Sequence, residues 1–358
     1  MQFYDALQMN PSQLKSGIQA GKSGGEKFFF SAALLVRALL IVAFAIVFIG
    51  GLSPVFGSEN TPMMVVLFCI LLAVRFVNFE YRIGDSLLTF AAVLLLLLFA
   101  PTLSTLVPSP VAGLIHFLAL FAILFMTCQR PENGNGGLYS FAYIYLVGNP
   151  VTGAPLLRRA LLTAFGYLLC ASILFWKHRR KHKSVRFSRL VSQFRLSNRL
   201  SLWQIRLAAG VSLALMFGRL FQIERFMWMG FACSSLLAAY PYSEKVTERF
   251  WQRLFGVAVG SGLFFLIFQL LPSELHTLIG PLGGLCLGFC SSYRFKTMWN
   301  CLGALMLGSG IYGAGGAVSL RIWDTALGVL CGFVVAYLFH RATASRIRPT
   351  APESGAQG

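Results

Sequence analysis

Two arginines within apolar segments have a placement that could bind an anion. Arg37 lies about nine residues into the first apolar run, and Arg206 occupies the matching place in a later, similar run. An ionisable side chain inside a membrane helix is costly, so each needs a partner or a function. If both face a polar central cavity, their guanidinium groups would attract an anionic substrate. The alternative is that they extend to the membrane surface, which Trp203 beside Arg206 favours.

Arg159 and Arg321 form a second pair, each near the start of the last apolar run of its half. A cation at a helix N-terminus opposes the helix dipole, so local helix stability explains neither residue. Asp324 could pair with Arg321 on one helix face, whereas Thr163 stands near the corresponding place of the first half and cannot. We therefore expect Arg159 to be the freer of the two to bind an anionic substrate, with Arg321 and Asp324 as further substrate-binding candidates. A structural tie between the repeats is the alternative.

His116 is the histidine that we expect deepest in the membrane. Histidine titrates near neutral pH, so His116 is a candidate for proton coupling. The second half has Gly280 near the equivalent place, which favours the alternative of a packed histidine held by a hydrogen bond.

No feature of the chain indicates an enzyme. The few acidic residues lie mostly at the ends of apolar runs, and there is neither a carboxylate pair for acid–base catalysis nor a phosphate-binding loop. The eight cysteines lack disulfide or zinc-site spacing. Cys286 and Cys290 could share a helix face, but two small packing residues are the favoured interpretation. We expect no catalysis, no cofactor and no metal.

The composition identifies the elements that must position these residues. Hydrophobic residues make up 56% of the chain and charged residues 12%, against roughly 25% charged in soluble domains. Apolar runs near the length of about 20 residues that spans a bilayer recur throughout. In hydrocarbon such runs must be helices, and the alternation of a membrane β-barrel is absent. The expected fold is all-α, a polytopic membrane protein of about twelve transmembrane helices.

The predicted helices fall into two sets of six. They lie near 28–51, 61–77, 84–101, 110–128, 138–150 and 155–177, then near 201–218, 225–241, 250–271, 275–291, 297–312 and 320–340.

The two sets are related by an internal repeat. Arg159, Gly166 and His178-Arg179 keep the same spacing as Arg321, Gly328 and His340-Arg341. Arg37 echoes Arg206, and Glu59 echoes Glu224. Six helices in each set make both sets run in the same direction, so we predict two parallel repeats around one pathway.

The chain is thus predicted to have five parts. Residues 28–177 and 201–341 are the two six-helix membrane repeats. Residues 1–27 form a cytoplasmic N-terminal segment, 178–200 a basic cytoplasmic bridge, and 342–358 a disordered cytoplasmic tail. We expect the bridge to be an amphipathic helix on the membrane surface.

The placement of positive charge sets the orientation. The formal net charge is +18, and the run from Lys177 to Arg199 is strongly basic without one acidic residue. Lysine and arginine accumulate in cytoplasmic loops, so the bridge and both termini are expected in the cytoplasm. Contact with anionic lipid headgroups follows from the same charge. Nucleic-acid binding is not expected, because no stacking motif or fold signature accompanies the basic residues.

The matched helix ends, with Arg-x6-Gly after a turn, resemble the fusaric acid resistance and aromatic acid exporter family. The stretch Glu248-Arg-Phe-Trp-Gln-Arg-Leu-Phe-Gly256 is also similar to it. The resemblance covers both six-helix blocks. It implies a bacterial inner-membrane efflux component for aromatic carboxylic acids or similar amphipathic anions. It further implies a periplasmic adaptor of the membrane-fusion type and an outer-membrane channel as partners. By position, the closing-helix motif falls on Arg159, Gly166, Arg321, Asp324 and Gly328.

Three functions remain open on the sequence. The first is gradient-driven export of an organic anion, which the positive intramembrane residues favour. The second is a passive anion channel assembled as a homo-oligomer. The third is a membrane scaffold of an envelope complex that transports nothing.

Overall fold

The computed structural model describes residues 2–196, 198–239 and 244–343. Every regular element in these residues is a helix, so the all-α class is confirmed. The α-helices are α1 (Phe3–Gln8), α2 (Pro11–Ala20), α3 (Gly24–Phe56), α4 (Thr61–Val74), α5 (Ile83–Thr105), α6 (Ser109–Thr127), α7 (Asn135–Val147), α8 (Gly153–His178), α9 (Phe187–Gln193), α10 (Arg199–Leu220), α11 (Phe226–Leu237), α12 (Glu244–Leu270), α13 (Ile279–Phe289) and α14 (Tyr293–Thr343). Short 3₁₀ turns cover Ser58–Asn60, Pro131–Asn133 and Ser273–Leu278.

Seven of these helices are long and apolar enough to cross a membrane. They are α3, α5, α6, α8, α10, most of α12, and α14. Two shorter apolar helices, Ser58–Val74 and Phe226–Leu237, lie among them in the chain. The protein is therefore a multi-pass membrane protein, as its composition predicts, and α3 to α8 and α10 to α14 occupy the regions predicted to be helical.

Helix α14 reverses direction at one residue. Gly313 has φ 69° and ψ 167°, a backbone conformation that is open essentially only to glycine. The arms 293–312 and 314–343 fold back on each other there, since a Cβ atom on Gly308 would lie 3.3 Å from the Cβ atom of Ala317. The prediction of two separate helices holds for the arms. The predicted connection over 313–319 is wrong, because one residue makes the turn.

The bridge is not a continuous surface helix. Between α8 and α10 its described residues contain one helix, α9, of 7 residues, with turns and extended chain around it. Its aromatic residues pack against α6, with ring centroids 6.0 Å apart for Phe187 and Phe125 and 5.6 Å apart for Phe194 and Phe125. The Phe187 amide also donates to Asp85 Oδ2 at 2.8 Å. The predicted amphipathic helix over 178–200 is therefore wrong. Aromatic contacts tie the bridge to the first half instead.

Both ends of the chain contain helical residues that the sequence did not predict. The segment 1–27 contains α1 and α2, whose Ala6 and Leu14 pack against Ala33 and Leu34 of α3. Helix α14 continues to Thr343, so residues 342 and 343 are helical. The rest of the predicted disordered tail, residues 344–358, lies outside the described residues.

The halves meet at glycines. Helix α6 packs against α10, α7 against α11, and α3 against α13. A Cβ atom on Gly113 of α6 would lie 2.8 Å from Met216 Sδ, and one on Gly288 of α13 would lie 2.7 Å from the Cβ atom of Ala38. Small residues of this kind let membrane helices approach closely.

The closing helix of each half packs against the second helix of that half through equivalent glycines. A Cβ atom on Gly166 of α8 would meet the Leu67 side chain of α4. A Cβ atom on Gly328 of α14 would meet the Met229 carbonyl oxygen of α11. The second contact is with backbone, which cannot rotate away as a leucine side chain can.

We therefore expect Gly328→Ala to destabilise the protein by about 1–3 kcal/mol through overpacking. The measurement is the midpoint of thermal unfolding of the detergent-purified chain. Gly303→Ala on the same helix is the matched control, because no atom lies within 4 Å of its Cβ position. Its midpoint should be unchanged or slightly higher. Equal midpoints for the two variants would contradict this packing.

Candidate functional site

Arg159 is buried among neutral oxygens. Its Nε donates to Asn60 Oδ1 at 2.8 Å, one terminal nitrogen to the Asn149 carbonyl at 3.0 Å, and the other to the Glu59 carbonyl at 3.2 Å. These bonds join the start of α8 to the start of α4 and the end of α7. Arg159 thus forms a structural tie within the first half, and the expectation that it is freer than Arg321 is wrong.

Asn60 completes this tie. Its side-chain nitrogen donates to the Phe56 carbonyl at 2.9 Å and to the Pro155 carbonyl at 3.1 Å, while its oxygen accepts from Arg159. The adjacent Arg158 forms an exposed ion pair with Glu59. Arg159 and Asn60 together therefore join the ends of α3 and α7 to the starts of α4 and α8.

Arg206 is held at the end of another helix. One terminal nitrogen lies 3.3 Å from both the Leu237 and Ala239 carbonyl oxygens, at the C-terminus of α11. Those carbonyls have no partner within their own helix, and the helix dipole favours a cation beside them. Arg206 is fully buried rather than extended to the surface.

Two further basic side chains bind helix C-termini in the same way. Arg219 donates to the carbonyls of Ser104, Thr105 and Val107 at the end of α5. His178 Nε2 lies 2.9 Å from the carbonyl oxygen of Val74, the last residue of α4. The C-termini of α4, α5 and α11 are each capped by a basic side chain from another helix.

Arg37, the counterpart of Arg206, is placed differently. It is half-buried on α3, next to the contact of Ala38 with α13, and it has no hydrogen bond or ion pair within the described part of the chain. The helix end that it would cap by analogy, that of α4, is occupied by His178. Arg37 is consequently available to a solute that approaches α3.

His116 is buried and paired. Its Nδ1 lies 2.9 Å from the Tyr143 hydroxyl of α7, in a T-shaped ring contact. This geometry fits the alternative of a packed, hydrogen-bonded histidine, and His116 remains a candidate for proton coupling.

Arg321 and Asp324 are buried without being paired. Each is 1% exposed, yet none of the ion pairs between described residues joins them. Nε and Nη1 of Arg321 and Oδ2 of Asp324 have no hydrogen-bond partner among residues 2–196, 198–239 and 244–343. The guanidinium carbon of Arg321 lies 5.1 Å from the ring centroid of Trp228 on α11.

A second guanidinium group lies beside the same indole. The guanidinium carbon of Arg225 is 5.7 Å from the Trp228 ring centroid and 5.5 Å from that of Tyr312, next to the turn at Gly313. Sequence reasoning did not single out Arg225, Trp228 or Tyr312. The internal repeat held a signal for Arg225, because it follows Glu224 as Asn60 follows Glu59.

The buried charge of the described residues is strongly unbalanced. It consists of four arginines and one aspartate: Arg159, Arg206, Arg253, Arg321 and Asp324. Arg253 on α12 is a buried cation that sequence reasoning did not identify as buried. An interior with this excess of positive charge favours negative solutes.

Two open grooves in the surface are apolar. One, of about 580 Å³, lies between α5 and α6, and the other, of about 420 Å³, lies among α3, α4 and α8. No charged residue lines either groove, and both belong to the first half. In the described ranges no three His, Cys, Asp or Glu side chains are placed to hold a metal, and the cysteines are free thiols.

The second half carries the similarity to known proteins. Residues 213–335 match the family model described as fusaric acid resistance protein-like, so the predicted resemblance is confirmed for this part of the chain. The matched region includes Arg225, Trp228, Arg321 and Asp324. The first half, to which the resemblance was also extended, lies outside the match. Searches of curated proteins and of solved structures gave no significant match.

We expect Arg159→Leu to lower the stability of the protein by roughly 3 kcal/mol, because buried carbonyls and Asn60 would lose a charged donor. Thermal unfolding of the purified variant measures this. Arg158→Leu is the neighbouring control, since an exposed ion pair contributes less than about 1 kcal/mol. If Arg159→Leu and Arg158→Leu unfold at the same temperature but transport is altered in Arg159→Leu, Arg159 is a substrate-binding residue and not a structural tie.

Proposed function

We propose that this protein is a transporter that exports amphipathic organic anions, aromatic carboxylates among them, across the bacterial inner membrane. The observation that carries the proposal is the excess of buried arginines over acids inside a helical membrane bundle. Two of these arginines, Arg253 and Arg321, have guanidinium nitrogens without a hydrogen-bond partner among the described residues. A cation withdrawn from water is costly unless it is neutralised, so a transient anion is a suitable partner.

The family match supports the same function. The family is named for resistance to fusaric acid, and an acid is an anion once it has ionised. Resistance to such a compound is achieved when it is moved out of the cell. The periplasmic adaptor and outer-membrane channel belong to this proposal as partners.

We further propose that the membrane domain has twelve spans in two parallel six-helix halves. The first half would be α3 to α8, and the second α10 to α13 with the two arms of α14. Contacts between the halves support this pairing, because the first helix of each half packs against the fourth helix of the other, α3 on α13 and α10 on α6. The equivalent glycines Gly166 and Gly328 also pack against equivalent helices.

The orientation proposed for this domain has both termini and the bridge in the cytoplasm. The basic residues of the bridge support this, since cytoplasmic loops accumulate lysine and arginine. Export would then be driven by the proton gradient or by the membrane potential, which itself favours outward movement of an anion.

The test is flux of radiolabelled benzoate into or out of proteoliposomes containing the full chain. Export by a carrier predicts saturable flux that responds to an imposed proton gradient or potential. Flux that stays proportional to concentration would favour the channel, and absence of flux for every acid tried would favour the scaffold.

Arg37 provides a test for a residue on the pathway. We expect Arg37→Gln to reduce benzoate flux about tenfold, the effect of removing one charge-assisted contact, with the melting midpoint unchanged because Arg37 has no partner to lose. Lys27→Gln is the matched control, an exposed cation on the same helix. Equal flux in the two variants at equal protein levels would remove Arg37 from the pathway.

A further inference from the structure

We infer that the second half contains a binding site for a monovalent carboxylate, formed by Arg321 and Arg225 beside Trp228. The inference rests on the proposed function and locates anion binding in the second half. In the first half the equivalent arginine, Arg159, stabilises the fold instead. It is carried by donors that the fold leaves unused.

Arg321 presents unused donors in a buried position. Its guanidinium carbon lies over the Trp228 ring at 5.1 Å, while Nε and Nη1 have no acceptor in the described structure. A guanidinium group on an aromatic face keeps its N–H bonds in its own plane, so stacking leaves them free. Each of these unused N–H groups can donate a charge-assisted hydrogen bond to a carboxylate oxygen.

The first half shows why these donors are unused. Arg159 occupies the equivalent position, and its Nε is satisfied by Asn60 Oδ1 at 2.8 Å. The residue equivalent to Asn60 is Arg225, which follows Glu224 as Asn60 follows Glu59. Arginine has no acceptor to offer. The repeat has therefore exchanged the acceptor of Arg321 for a second cation.

Arg225 supplies the second positive group. It lies 5.7 Å from the Trp228 ring centroid and 5.5 Å from that of Tyr312. It is half-buried, and its Nε also lacks a hydrogen-bond partner within the described ranges. Arg225 is half-exposed and contacts the same Trp228 ring as the buried Arg321, so an anion could pass from one guanidinium group to the other.

Asp324 sets the charge that the site accepts. The aligned residue of the first half is Leu162, and Thr163 corresponds to Thr325, so the carboxylate is particular to this half. Asp324 partly offsets the two arginines and leaves one positive charge, while the nearby Glu224 is exposed to solvent and is screened there.

Asp324 also competes with a ligand. Its Oδ2 has no hydrogen-bond partner in the described chain, and it lies one helical turn from Arg321, so an anion on Arg321 would be repelled by it. The third buried cation in this half, Arg253 on α12, has an unsatisfied Nε as well. At the pair formed by Arg321 and Arg225, the repulsion from Asp324 favours a ligand with a single negative charge over one with two.

Thr325 supports the comparison. The hydroxyl of its counterpart, Thr163, donates to the Arg159 carbonyl at 2.7 Å. The Thr325 hydroxyl is buried and has no hydrogen-bond partner among the described residues. The equivalent threonine hydroxyl thus has a hydrogen-bond partner in the first half, and it lacks one among the described residues in the second half.

The test is isothermal titration of the purified full-length chain with sodium benzoate. Arg321→Gln should weaken benzoate binding about tenfold or more, because it removes the buried positive charge and its charge-assisted hydrogen bonding. Asp324→Asn should strengthen binding severalfold, because it removes the competing charge. Arg158→Gln, an exposed arginine of the first half, should leave the Kd unchanged, and benzylammonium should not bind to any variant.

The opposite signs distinguish a binding site from a structural cluster. Weaker binding in both the Arg321 and Asp324 variants, or wild-type binding in Arg321→Gln, would overturn the inference. Arg225→Gln is the second variant, at a half-exposed position where folding should be retained. It should weaken binding severalfold, and a wild-type Kd would exclude Arg225 from the site.

Failure of this site and failure of transport are separable. Benzoate binding that depends on Arg321, without flux in proteoliposomes, would support the site and contradict the transporter. Flux that keeps its wild-type KM in both Arg321→Gln and Arg225→Gln would support the transporter and overturn the site.

Discussion

The fold depends on buried basic side chains that bind backbone carbonyls at helix ends. In hydrocarbon the last carbonyls of a helix cannot turn to water, and several helices here end within the packed bundle. Arg206, Arg219 and His178 each reach from one helix to the C-terminus of another. The basic side chain and the carbonyls satisfy each other's hydrogen-bonding groups, so neither is left with an unmet desolvation cost. The same bonds fix how the helices are arranged.

This constraint explains why similar residues act differently in the two halves. In the first half Arg159 is matched by Asn60 and two carbonyls, and its charge is absorbed in holding three helices together. In the second half the corresponding neighbour is Arg225 and the added acid is Asp324, so complementarity is lost. A duplicated unit can brace the molecule with one copy of a residue and leave the other copy for ligands.

Much of the fold could be predicted from the sequence, because it follows from composition. Apolar runs of bilayer length give helices wherever they occur, and the predicted segments lie within a few residues of α3 to α8 and α10 to α14. The turn at Gly313 and the bridge could not be predicted in this way. One depends on a backbone conformation at a single glycine, and the other on aromatic side chains of α6 that pack against Phe187 and Phe194.

The roles of the charged residues were much less accessible to sequence. Arg159 and Arg321 share a motif, and the nearby Asp324 suggested that Arg321 was the neutralised one. The residues that distinguish the two arginines are about 100 positions away in the chain. Asn60 bonds to Arg159, and Arg225 shares the Trp228 ring with Arg321, and both arrangements arise only in the folded protein. The internal repeat did contain the clue, since the residue after Glu59 differs from that after Glu224 in its ability to accept a hydrogen bond.

The turn at Gly313 has a mechanical consequence. Two long helices joined by one residue share only the torsions of that residue as soft degrees of freedom. They cannot slide lengthwise past one another, because no slack chain exists to absorb a shift. Any displacement of one arm must therefore rotate it relative to the other about Gly313. Tyr312 is adjacent to this pivot, so it stays close to Arg225. The far ends of the two arms move furthest.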